Sequence, residues 1–193
     1  MRIIKMQLEL FVEDALKTES RINKVKVNET LFKELQLILI AAGSMLDQIK
    51  KNAFYDKPFN LDSLSSNTYA LTNAVNRLGR LDINAVTEEV TDFPINPRIF
   101  HSIVGIQTES TELLEALDIT KKELDNINIA EEFGDLDWYK AIGVDELGIS
   151  WDTVLETVIA KLKSRYPNKF TSEDAINRNL DKEREILDSM EQK

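Results

Sequence analysis

Cysteine is absent from all 193 residues, and histidine occurs once, as His101. The first absence excludes a disulfide framework, a zinc thiolate site, an iron–sulfur cluster and a cysteine nucleophile. The second excludes histidine-rich metal sites and leaves a catalytic triad only through His101. Proline and glycine are scarce, at four and six residues, so few points along the chain break a helix. Long apolar runs are missing as well: the most apolar window, LFKELQLILIAAGSML, is too short and too interrupted to span a bilayer. The opening MRIIKMQLELFVEDA puts acids where a signal peptide needs an apolar core, so a cytoplasmic protein is expected. Basic residues are outnumbered 24 to 34, for a net charge of −10. That balance disfavours nonspecific nucleic-acid binding, which needs clustered Lys and Arg against the phosphate backbone.

Within the long uninterrupted spans, apolar residues recur at spacings of three and four, the period of a helix with one buried face. Helices are expected at 4–19, 29–51, 61–79, 97–118, 129–144, 150–164 and 172–190, giving an all-α antiparallel helical bundle. Asn60 and Asp62 suit the start of the third, Asn96 before Pro97 the start of the fourth, and Ser150 and Ser172 the last two. The least regular stretch, GRLDINAVTEEVTDFPINP (79–97), is the expected join between an N-terminal half, 1–95, and a C-terminal half, 96–193.

The halves resemble each other. LILIAAGSMLDQIKK from Leu37 can be laid over GIQTESTELLEALDI from Gly105, which puts Ala41 on Glu109 and Ser44 on Glu112. LSSNTYALTNAV from Leu64 lies over IAEEFGDLDWYK from Ile129, which puts Asn67 on Glu132 and Ala70 on Asp135. Identities are few, but the apolar phase persists over two helices in the same order, as a degenerate internal repeat requires. Any two amphipathic hairpins can also align this way. On the repeat reading, the first half is a noncatalytic partner packed against the second.

Glu109 and Glu112 stand three apart and share one helix face, as do Glu132 and Asp135. The interval DITKKELDNIN is long enough to reverse the chain, so the pairs can face each other. Four carboxylates converging in a partly dry cleft repel one another, and a hard cation such as Mg²⁺, with Mn²⁺ as a substitute, offsets that repulsion with oxygen ligands. Solvated surface acids are the ordinary alternative. The pairs, however, sit among Ile103, Ile106, Leu113, Leu117, Phe133, Leu136 and Trp138. Gly134 inside a helix would let a neighbouring backbone or a ligand come close. Downstream, VIAKLKSRYPNKF places Lys161 and Arg165 on one face ahead of Pro167, a clamp for phosphate oxygens, with Tyr166 beside them. The same residues would also complement a helix C-terminus.

In their order, GIQTESTELLEAL, EEFGDLDWY and KLKSRYP resemble the MazG-type all-alpha nucleoside triphosphate pyrophosphohydrolases, a superfamily that includes the dimeric dUTPases and related phage proteins. The resemblance covers roughly 98–170, with weaker support beyond and only the degenerate repeat before it. It implies the reaction NTP or dNTP + H₂O → NMP or dNMP + pyrophosphate. The implied metal ligands and catalytic groups are Glu109, Glu112, Glu132 and Asp135, with Glu115 or Glu131 as further candidates for the base. Lys161, Arg165 and Tyr166 would bind phosphates, and His101, two turns before Glu109, would contact base or phosphate unless it is simply packed. Trp138 and Tyr139 are either core residues or a wall of the nucleotide pocket. A homodimer or higher homo-oligomer in the cytoplasm of a bacterial or phage-infected cell is implied, with no nucleic-acid or membrane partner. Asp137 departs from the family pattern, which has an apolar residue after GDL; a solvent-facing change is the expectation. The competing readings are a noncatalytic helical regulatory or binding protein on the same scaffold, and a hydrolase of dUTP or of a (p)ppGpp-like alarmone.

Overall fold

A computed structural model describes residues 2–117 and 124–192, with side chains from residue 8 onward and excepting 83, 85, 88, 191 and 192. The protein is an all-α bundle with one short two-stranded ribbon. In order, the elements are α1 (Arg2–Lys17), β1 (Val25–Val27), α2 (Glu29–Tyr55), α3 (Leu61–Leu78), α4 (Ile83–Glu88), β2 (Thr91–Phe93), α5 (Pro97–Ala116), α6 (Asn126–Glu146), α7 (Trp151–Arg165), α8 (Ser172–Ile176) and α9 (Leu180–Asp188), followed by a 3₁₀ turn, Ser189–Gln192. Strands β1 and β2 pair with each other. Among the described residues no helix is long and apolar enough to cross a membrane.

The helix starts follow from side-chain caps. Asn28 accepts from Leu31 N, Asn60 from Ser63 N, Asn96 from Arg98 N and Ile99 N, and Asp125 from Ile127 N and Asn128 N. Each cap satisfies backbone donors that a first turn cannot pair internally. Two expectations shift. The span 172–190 is broken after Ile176, because Asn177 ends α8 and Asn179 caps α9 through Lys182 N. The cap of α8 is Thr171, one residue before Ser172. The stretch 79–97 also holds more order than expected, namely α4 and β2. The end of the fourth expected helix, at 118, and most of the interval before α6 lie outside the described residues.

The chain forms two compact units, one made of residues 1–25, 94–161 and 184–193 and the other of residues 26–93 and 162–183. The first unit is built on α5 against α6, with α1 also on α6. Ser102 meets Gly143, Gly105 meets Tyr139, and Glu109 meets Asp135. Partners that advance on one helix as they retreat on the other make the pair antiparallel. The second unit is built on α2 against α3, with α8 also on α2. Glu34 bonds Arg77 while Gln48 bonds Ser63, which is again an antiparallel pair.

The two pairs share a frame. Asn28 precedes Ala41 by the same number of residues as Asn96 precedes Glu109, and Asn60 precedes Asn67 by the same number as Asp125 precedes Glu132. The cross-pair contacts correspond as well: under those offsets Glu34–Arg77 falls on Ser102 and Ile142, next to the Ser102–Gly143 approach. This is the pattern an internal duplication leaves.

Candidate active site

Glu109 lies in α5, and Glu132 and Asp135 lie one helical step apart in α6. An oxygen from each of the three comes within 4.8 Å of the others. Glu132 is the buried member, at 5% exposure, and its Oε2 has no hydrogen-bond partner. Glu109 is half-buried, whereas Glu112 and Asp135 are exposed. Burial, more than anything else, pushes the Glu132 carboxyl above the usual carboxylate range. The charge of Glu112, a hydrogen bond with Glu109 and the charges of Glu109 and Asp135 add to the effect. Glu112 therefore belongs to the electrostatic field of the cluster, although it is not among the three converging oxygens.

A buried carboxylate with an orphaned oxygen and three acidic neighbours is costly unless a proton or a cation sits there. The donors are carboxylate oxygens, which suit a hard divalent cation and not a soft one. The residues present therefore fit the group expected of them.

Beside the cluster lies a cleft of about 380 Å³ lined by Phe100, His101, Val104, Gly105, Thr108 and Tyr139 and also by Ser20, Ile22, Pro97 and Arg98. His101 meets Tyr139 and Trp138 edge-on, with ring centroids 5.4 and 5.7 Å away. Burial and then the charges of Glu109, Asp135 and Glu112 raise the Tyr139 phenol, which therefore stays a hydrogen-bond donor. Thr108 Oγ1 donates to the Gly105 carbonyl at 2.8 Å and lies 3.3 Å from Glu109 Oε1.

Other expected residues are placed differently. Lys161 is half-buried at the end of the first unit, whereas Arg165 and Tyr166 belong to the second. There Arg165 makes two bonds to Glu183, at 2.8 and 2.7 Å, and lies over the Tyr166 ring. Arg178 binds the same carboxylate, so the triad keeps a net positive charge. Asp137 is exposed and accepts from Lys140 at 3.0 Å. Glu115 and Glu131 are exposed. No neighbouring backbone makes the close approach expected at Gly134, where a Cβ would meet no protein atom within 4 Å. The close approaches fall at Gly105 and Gly143, which sequence reasoning passed over. Their positions on the α5 and α6 faces that carry the carboxylates were the available signal.

Residues 102–170 match the model of the MazG nucleotide pyrophosphohydrolase domain, so this chain contains such a domain, and the match takes in all four carboxylates. No curated protein and no solved structure matches the chain significantly. The domain is an enzymatic one, and its presence supports a pyrophosphohydrolase-type activity.

Proposed function

We propose that the protein is a metal-dependent nucleoside triphosphate pyrophosphohydrolase that converts an NTP or dNTP and water to the monophosphate and pyrophosphate. The observation that carries this reading is the buried Glu132, with its orphaned oxygen, at the centre of an acidic cluster inside the matched domain. Mg²⁺, or Mn²⁺ in its place, would be held by Glu109, Glu132 and Asp135 with Glu112 beside them, and it supplies neutralisation of the charge that develops on the phosphate oxygens.

The chain's own groups account for the rest. Water adds to the α phosphorus, the bond from that phosphorus to the α–β bridging oxygen breaks, and pyrophosphate leaves with the electron pair. Glu112, exposed beside the cluster, takes the proton from the water at a carboxylate oxygen; Glu115 and Glu131 are the other carboxylates near enough in sequence to replace it. The Tyr139 hydroxyl donates a hydrogen bond into the cleft, and His101 forms an aromatic edge there. Lys161, in the same unit as the carboxylates, binds the distal phosphates. On this reading the α2–α3 pair of the N-terminal half is a degenerate, noncatalytic copy of α5–α6 that stands in for a partner subunit, and the chain self-associates as a homo-oligomer.

The test is incubation with ribo- and deoxyribonucleoside triphosphates and Mg²⁺, with products separated chromatographically. Monophosphate and pyrophosphate are expected, with a slight preference for deoxynucleotides. Orthophosphate as the first product overturns the cleavage position. Absence of turnover across the panel, dUTP included, overturns the enzymatic reading.

A further inference from the structure

The cleft beside the carboxylates is not closed by the helix pair alone. Residues 18–24 leave α1 without regular structure, and Ser20 and Ile22 from this stretch line the cleft. The stretch is tied at two points. The Trp138 indole N–H donates to Thr18 Oγ1 at 2.8 Å. Arg98 donates through Nε and Nη2 to the two oxygens of Glu19, at 2.7 and 3.0 Å, and the Glu19 side chain is wholly shielded from solvent. Ordering a loop costs conformational entropy, so a strap fastened on both α5 and α6 is an arranged feature of the first unit. Ile22, which lines the cleft, is nevertheless 58% exposed, an apolar side chain with little to cover it.

The chemistry of the cleft narrows its occupant. Arg98 is the cation on the lining, and Glu19, Asp145 and Glu146 engage it. It offers no unbalanced charge to a phosphate. The other walls are aromatic edges, Val104, a glycine and two hydroxyl side chains, Ser20 and Thr108. That set takes an uncharged flat group with a polar edge. Thr108 touches Glu109, so the group would be continuous with whatever lies against the carboxylates.

We infer that the strap of residues 18–22 is the outer wall of the nucleoside subsite, with Ile22 packing on the face of the base and Ser20 meeting its polar edge. This rests on the proposed nucleotide chemistry of the neighbouring cluster. It adds specificity-determining residues from a segment that the matched domain, 102–170, does not include.

The experiment is calorimetric binding of a panel of deoxynucleoside monophosphates to the full chain, followed by triphosphate kinetics, for the parent, Ile22→Ala, Ser20→Ala and the control Lys17→Ala. Lys17 pairs with Asp14 on the exposed face of α1. Ile22→Ala should weaken every monophosphate about five- to tenfold, from lost apolar cover. It should raise KM by a similar factor while kcat stays within about twofold. Ser20→Ala should change the ratio of affinities between bases about fivefold, because an unpaired polar edge discriminates more than a missing apolar contact does. Melting curves that overlay the parent keep the result a binding effect. Monophosphates that bind both variants as they bind the parent overturn the inference, as does a parent that binds none of them. A parent that binds monophosphates but cleaves no triphosphate refutes the catalytic reading, and the affinity ratios still decide the strap.

Discussion

Gly105 and Tyr139 approach so closely that a Cβ on the glycine would lie 2.1 Å from two carbons of the ring. The contact seats the aromatic wall of the cleft directly on the backbone of α5, one helical turn from Glu109. Gly105→Ala should displace the ring, lower stability by about 1–3 kcal/mol and reduce turnover. Gly134→Ala, on the open side of α6, should instead raise stability by about 0.5–1 kcal/mol, as alanine does in an exposed helix interior. Urea unfolding of the two variants checks the contrast, and a neutral Gly105→Ala would contradict the packing described.

Glu132→Gln should raise the melting temperature of the metal-free protein, because it removes a charge from a buried, repulsive cluster. The same change should abolish most of the stabilisation that the parent gains on adding Mg²⁺, and turnover with it. Thermal melts with and without Mg²⁺ give both readouts. A variant that keeps the full Mg²⁺ shift would remove Glu132 from the ligand set.

The Glu183 carboxyl, held by hydrogen bonds from Arg178 and then Arg165, is pushed down to about 2. A depressed carboxylate stabilises the fold above its ordinary pKa of 4.5, and the contribution fades as pH falls from there toward about 2. Glu183→Gln should therefore cost about 2–3 kcal/mol at pH 7, with the gap from the parent closing on acidification below pH 4. Chemical denaturation across that pH range measures it; a gap that is constant with pH would deny the linkage.

Lys161→Ala should raise KM for triphosphates about tenfold while leaving monophosphate binding nearly unchanged, because its ammonium is assigned to the distal phosphates. Equal loss for both ligands would move Lys161 away from them.

The helix pairs were legible in the sequence because they rest on local periodicity: spacings of three and four put Glu109 with Glu112 on one helix face and Glu132 with Asp135 on another, although across the pair the oxygens of Glu109, Glu132 and Asp135 converge without Glu112. Caps such as Asn96 before Pro97 were legible for the same reason. What periodicity could not carry was long-range pairing. Nothing near Arg165 in sequence announces that Glu183 will take its guanidinium, and nothing near Glu19 announces Arg98. Gly134 attracted notice because it interrupts a helix, yet it faces open space, while Gly105 and Gly143 matter through neighbours on another helix. The role of residues 18–22 was hidden likewise, since a short polar stretch after a helix has no pattern of its own.

The matched cap spacings of α2 and α5, and of α3 and α6, bear on reversibility. If one pair descends from a copy of the other, the helix ends kept their register while the interior positions drifted apart. Ala41, at the place of Glu109, is now only 2% exposed, so neighbouring atoms have closed over the space a longer side chain would need. Restoring acids at 41, 44, 67 and 70 would force a charged group into that filled volume before any site could form. On that descent, packing at position 41 would block recovery of the site in the manner of a ratchet, even with the helix ends still in register.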